Sequence, residues 1–148
     1  MKHPSSSRYS RPLTLQLIGA FSPSEFSALF SYDACDPYAV SITFGSARVG
    51  GKDPVTWLIG RELLRAGLAQ PTGDGDVRVG PAATSDVLFL QLRTDSGEAL
   101  MELSRTALAA FLKGTESLVP FGAEGAAIDL DEELAVLLAG GGADPFTL

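Results

Sequence analysis

The sequence predicts a single-domain α+β fold, and three observations lead to it. Between Leu13 and Leu103 most of the chain reads as short segments in which apolar and polar residues alternate, the period of strands with one buried face. Stretches with helical spacing follow two of these strands, and another lies near the end of the chain. The third observation is length: 148 residues, 45% hydrophobic and 20% charged, suit one core better than two. At this size folding removes roughly 70% of the unfolded surface from water, enough for a core without disulfides. A single cysteine, Cys35, permits no intrachain bridge and points to a reducing, cytoplasmic setting.

Residues 1–11 read as a flexible basic tail, with Lys2, His3, Arg8 and Arg11 ahead of the first acid, Glu25. Leu13, Leu15 and Leu17 then alternate with Thr14 and Gln16, a strand that Gly19 and Pro23 end. Phe26, Ala28, Phe30 and Tyr32 share one side of a second strand, and Ala39 to Phe44 resume the pattern. Between them Asp33 to Pro37 form a turn, because Asp oxygens bond amides two residues on and Pro fixes φ. Gly45, Gly50, Gly51 and Pro54 mark a loop before the short strand Val55 to Ile59, which holds the only Trp. Leu63, Leu64 and Leu68 predict one or two helical turns stopped by Gly67.

A loop over Pro71 to Asp76 leads to Val77 and Val79, and Val87 to Leu92 pairs with Ala99 to Leu103 across the turn Thr94-Asp95-Ser96-Gly97. Ser104 can cap a helix that carries Leu108, Phe111 and Leu112 and stops at Gly114. Leu130, Leu134, Leu137 and Leu138 define a last amphipathic helix with acids at its start. The spacing of Trp57, Arg61 and Leu64 recurs in Met101, Arg105 and Leu108, which suggests a duplicated unit of hairpin, strand, Arg and helix. The expected core is Phe30, Tyr32, Ile42, Phe44, Trp57, Leu63, Leu64, Leu90, Phe111, Leu134 and Leu138.

Charge and residue inventory then exclude much of chemistry. The formal net charge is −7, and every Lys and Arg lies at or before Lys113. The excess belongs to Glu116, Glu124, Asp129, Asp131, Glu132, Glu133 and Asp144. A chain without a basic run in its folded part is a poor ligand for phosphate backbones. No stretch approaches the roughly 20 apolar residues of a membrane helix. The only His is His3 in the tail, so Cys35 has no base to activate it. One Cys and one His exclude a structural zinc site. Gly73-Asp74-Gly75-Asp76 lacks the spaced ligands of a calcium loop, and Gly50-Gly51-Lys52 lacks the hydroxyl and helix of a phosphate loop. No catalytic, cofactor-binding or metal-binding residue is expected. A stacking platform of Trp57, Tyr32, Tyr38, Phe30 and Phe44 would make single-stranded nucleic-acid binding the alternative. What remains is a protein that works through surfaces, with Arg61 and Arg105, each entering a helix after a strand, as candidate anchors of a subunit or partner contact.

Phe30-Ser31-Tyr32-Asp33-Ala34-Cys35-Asp36-Pro37-Tyr38-Ala39-Val40 and Trp57-Leu58-Ile59-Gly60-Arg61-Glu62-Leu63-Leu64-Arg65-Ala66-Gly67-Leu68 resemble the SsgA-like family of sporulation and cell division proteins of mycelial actinomycetes. The likeness continues through Pro71 to Val79, the hairpin end Gly97-Glu98-Ala99-Leu100, Phe111-Leu112 and the acidic Leu130-Asp131 helix. It implies an SsgA-like domain over residues 12–140, with 141–148 a flexible C-terminal tail. The fold it implies is a duplicated, Whirly-like unit of two packed antiparallel sheets with helices, assembled as a trimer. It further implies a non-enzymatic regulator of sporulation-specific division, cytoplasmic and recruited to the septum, with FtsZ or another SsgA-like protein as partner. Two departures are visible. Gly80 stands where a Trp or another large residue is expected at a surface contact, and the longer basic tail suggests a paralogue.

Overall fold

A computed structural model describes residues 7–19, 24–45 and 54–126. The named elements among these residues are, in order, β1 (Arg8–Ile18), β2 (Ser24–Asp33), β3 (Ala39–Phe44), β4 (Val55–Gly60), α1 (Arg61–Gly67), β5 (Val77–Pro81), β6 (Val87–Thr94), β7 (Gly97–Ser104) and α2 (Arg105–Glu116). The α+β expectation holds. The expected two sheets are instead halves of one seven-stranded antiparallel sheet, ordered β4-β3-β2-β1-β7-β6-β5. The cause is β1. It pairs with β2 from Arg8↔Asp33 to Leu17↔Ser24, and its last residues, Leu15 to Ile18, also pair with Leu103 to Leu100 of β7. One strand shared by both hairpin systems makes the sheet continuous, and its curl brings the inward faces together.

Part of the segment expected to be a flexible tail is strand, because Arg8 to Arg11 belong to β1; residues 1–6 lie outside the described residues. Three contacts draw them in. Arg8 meets Asp33 at 3.6 Å, the Ser10 and Ser31 hydroxyls bond at 2.8 Å, and the Tyr9 ring packs on Phe111 with centroids 5.5 Å apart.

Alternation places Leu13, Leu15, Ala28, Phe30, Tyr32, Val40, Ile42, Ile59, Val79, Leu88, Leu90, Leu92, Met101 and Leu103 inside. Leu64 of α1 and Leu108, Phe111 and Leu112 of α2 close the core from the helical side. Of the expected core, Trp57, Phe44 and Leu63 are only partly buried, while Leu134 and Leu138 fall outside the described residues, as does the last helix. The turn before β3 forms as the Asp chemistry predicts: the Cys35 N–H donates to Asp33 Oδ1 at 2.9 Å. Both halves repeat strand, Arg, helix, since β4 runs into α1 at Arg61 and β7 into α2 at Arg105.

Three glycines do different work from that expected of them. Gly114 lies inside α2, which continues to Glu116; a Cβ there would collide with the Tyr9 ring. Gly67 is the last residue of α1 rather than its left-handed stop, and a Cβ there would strike the Val79 side chain. Gly80, expected to vacate a surface contact, is buried, with Pro71 Cα 2.6 Å from where its Cβ would stand. Backbone approach of the Pro71 segment to β5 leaves no room for a large side chain.

Candidate functional site

The two arginines singled out by sequence occupy equivalent positions and have opposite fates. Arg61 is fully buried. Its Nη1 donates to Val119 O at 2.7 Å, to Thr115 Oγ1 at 3.3 Å and to Thr115 O at 3.5 Å, and Nη2 reaches Pro120 O at 3.4 Å and Glu124 Oε2 at 2.5 Å. The guanidinium lies over the Tyr32 and Phe121 rings, 4.7 and 4.6 Å from their centroids. It therefore neutralises the carbonyl end of α2, where the helix dipole favours a cation, and ties the segment after α2 to the first half of the sheet. Arg61 is an internal anchor, not a contact held out to a partner. Only Arg can do this, because its planar fork serves several acceptors at once.

Two neighbours respond electrostatically. Burial opposes the charge on Glu124, yet hydrogen bonds from Arg61 and the Gly122 N–H outweigh it and hold the carboxyl below its ordinary range. Burial pushes the Tyr32 hydroxyl up to about 12, against the pull of Arg61, while that hydroxyl donates to Pro37 O at 2.9 Å. Arg105 stays exposed, and its Nε donates to Leu68 O at 2.9 Å, bracing α2 against the end of α1. The start of α2 is satisfied twice: the Ala107 N–H donates to Ser104 Oγ at 3.0 Å and the Thr106 N–H to Asp86 Oδ1 at 3.1 Å. The Thr106 hydroxyl, before any other cause, holds the Asp86 carboxyl below its ordinary value. Asp86 takes a left-handed backbone, φ 62°, to reach them.

The side chains free to meet another molecule lie elsewhere. Neither helix lines the far end of the curled sheet, where strand ends form an open cleft of about 460 Å³. Leu17 of β1, Phe26 of β2, Phe44 of β3, Val55 and Trp57 of β4, and Leu92, Ala99 and Met101 of β6 and β7 supply apolar walls. The Phe26 and Phe44 rings pack at 6.1 Å. The rim carries Thr94, Ser96 and Glu98, whose carboxylate accepts from Gln91 Nε2 at 2.5 Å. Such a lining binds apolar surface and offers a single carboxylate for polar contact. Sequence reading put Phe44 and Trp57 in the core because alternation shows which face a residue takes but not where along the strand the covering helix ends.

Comparison with known proteins settles the lineage. The family described as "Streptomyces sporulation and cell division protein, SsgA" matches residues 26–124. The chain belongs to the SsgA family. It is 46% identical to the sporulation-specific cell division protein SsgB of Frankia casuarinae over 80% of this chain and 82% of that one. SsgB of Streptomyces coelicolor is also 46% identical, over 73% of this chain and 78% of its own. A solved SsgA-like sporulation-specific cell division protein from Thermobifida fusca superposes with TM-score 0.78 at 34% identity, covering 91% of this chain and 98% of that one. A second solved chain, described with the words "Mutations in SsgB correlate to longitudinal cell division during sporulation of Streptomyces coelicolor", gives 0.72 at 40% identity, over 81% and 94%. The SsgA-like expectation is thereby borne out, and with it a place in sporulation cell division. Among the described residues no helix is long and apolar enough to cross a membrane.

Proposed function

We propose that this SsgA-family chain regulates sporulation-specific division by docking, without chemistry of its own, on the division or cell-wall machinery at the septum. FtsZ or another SsgA-like protein is the partner this reading names. The observation that carries it is the apolar cleft at the end of the sheet that, among the described residues, neither α1 nor α2 lines, in a chain whose relatives are named for sporulation-specific cell division. Apolar surface with a polar rim is what a protein contact uses at its centre and edge. Arg105, exposed beside α1, is a candidate polar contact of the same kind. The trimer and the Whirly-like duplicated unit belong to this proposal, and a trimer would repeat each docking surface three times and raise avidity. Deleting the gene in its host and imaging septa in aerial hyphae tests the role. Misplaced or missing sporulation septa are expected; regular ladders of septa overturn it.

A further inference from the structure

The two edges of the sheet are unequal. At the β5 edge Thr72 and Val79 exchange both backbone hydrogen bonds, at 2.8 and 3.1 Å, and the strand ends in Pro81, so that edge is covered. Among the described residues nothing pairs with the outer edge of β4. Exposed edges are usually blunted by charge, proline or a bulge. The segment Val55-Thr56-Trp57-Leu58-Ile59-Gly60 has no charge and no proline, and its pairing with β3 is unbroken. Val55 is 55% and Leu58 66% exposed.

The open groups can be named. The Arg61 N–H donates to Tyr38 O at 2.8 Å, one step beyond the Gly60↔Ala39 pair. Backbone bonding alternates along an antiparallel strand, so Val55, Trp57 and Ile59 turn their N–H and C=O groups to β3, and Thr56, Leu58 and Gly60 turn theirs outward. That pattern is self-complementary about a two-fold axis through Leu58. Thr56 faces Gly60 of a second copy, and Leu58 faces Leu58. Cross-strand neighbours also match on both sides of the sheet, Leu58 on Leu58 outside and Trp57 beside Ile59 of the second copy inside.

We propose that β4 is a homotypic docking edge, which pairs antiparallel with β4 of a second copy to join two sheets into one. The neutral strip lets two chains of net charge −7 meet with no like charges directly opposed. With the β5 edge covered, each chain offers one open edge among its described residues, so a copy pairs with one other through β4. A six-residue edge buries less than the roughly 1,200 Å² of a stable interface, so the pairing depends on concentration. It is distinct from any three-fold contact, and its edge shares Val55 and Trp57 with the cleft that carries the septal role, while Thr56 and Leu58 lie outside that cleft.

Sedimentation of the full chain over a wide concentration range tests this. The expected result is a mass that doubles as concentration rises. Leu58→Lys sets cations face to face, and Thr56→Pro deletes an outward N–H at a position an edge strand tolerates. Each variant, with far-ultraviolet circular dichroism unchanged, is expected to abolish the doubling. Doubling that survives both substitutions overturns the pairing. A mass that never doubles also overturns it and leaves the edge to an extended strand of another protein.

Discussion

Replacing Arg61 by Ala separates an internal anchor from a surface contact. The side chain is fully buried, and its removal strands the Glu124 carboxylate, 11% exposed, together with the carbonyls of Val119, Pro120 and Thr115 that it serves. Breaking one side of a buried ion pair costs about 3–5 kcal/mol, and a domain of this size has roughly 5–15 kcal/mol in all. At about 2–4 °C per kcal/mol, Tm falls by about 6–20 °C. Arg105 is the control built into the fold. It occupies the matching first position of α2, is exposed, and makes one side-chain bond to Leu68 O, so Arg105→Ala costs about 1 kcal/mol or less. Urea unfolding of the two variants beside the parent measures both. Equal losses, or a loss below about 1 kcal/mol for Arg61→Ala, refute the assignment of Arg61 as the anchor of the α2 end.

Three other outcomes follow from the same geometry. Gly114→Ala drives a methyl into the Tyr9 ring and costs about 1–3 kcal/mol; thermal melts of Gly114→Ala, Tyr9→Ala and the pair should show the double variant less destabilised than the sum. Glu124 titrates below its ordinary value in the folded chain, so its contribution is full above the unfolded carboxylate pKa and is lost as pH falls through the lower folded one; Glu124→Gln flattens that acid slope in urea titrations at stepped pH. Tyr32 is raised to about 12, so its contribution is complete below the unfolded value near 10 and lost as pH rises toward the folded one. Tyr32→Phe removes this alkaline slope and, with the bond to Pro37 O, about 1 kcal/mol at neutral pH.

Much of the fold was legible because alternation and turn chemistry are local. The Asp33 turn, the Ser104 cap and the two hairpins follow from side chains that satisfy neighbouring backbone groups, and periodicity assigned the inward faces. What escaped depends on distant partners. The single sheet follows from which strands β1 pairs with, and the place of Tyr9 in β1 from the Phe111 ring on α2, far along the chain. Gly67, Gly80 and Gly114 looked like punctuation or gaps and are close approaches to Val79, Pro71 and Tyr9. Arg61 and Arg105 share one local pattern, and no spacing rule distinguishes the buried one; its acceptors, Thr115 to Glu124, come from the other half. For the cleft, the readable signal was Phe26, Phe44 and Trp57 at strand ends beside loops, and the missing fact was where the helices stop.

The cleft that neither α1 nor α2 lines is the centre of the functional account, and Ala99→Glu tests it most directly. Ala99 is half-buried in the cleft wall, contributed by β7 and apart from the Arg61 anchor, so a carboxylate there spoils the apolar surface while leaving β4 and that anchor unsubstituted. The measurement is septum spacing in a deletion strain that carries this variant at the parent's cellular level, with its melting curve confirming the fold. Failure to restore regular septation is the expected result; spore chains indistinguishable from those given by the parent gene would contradict it.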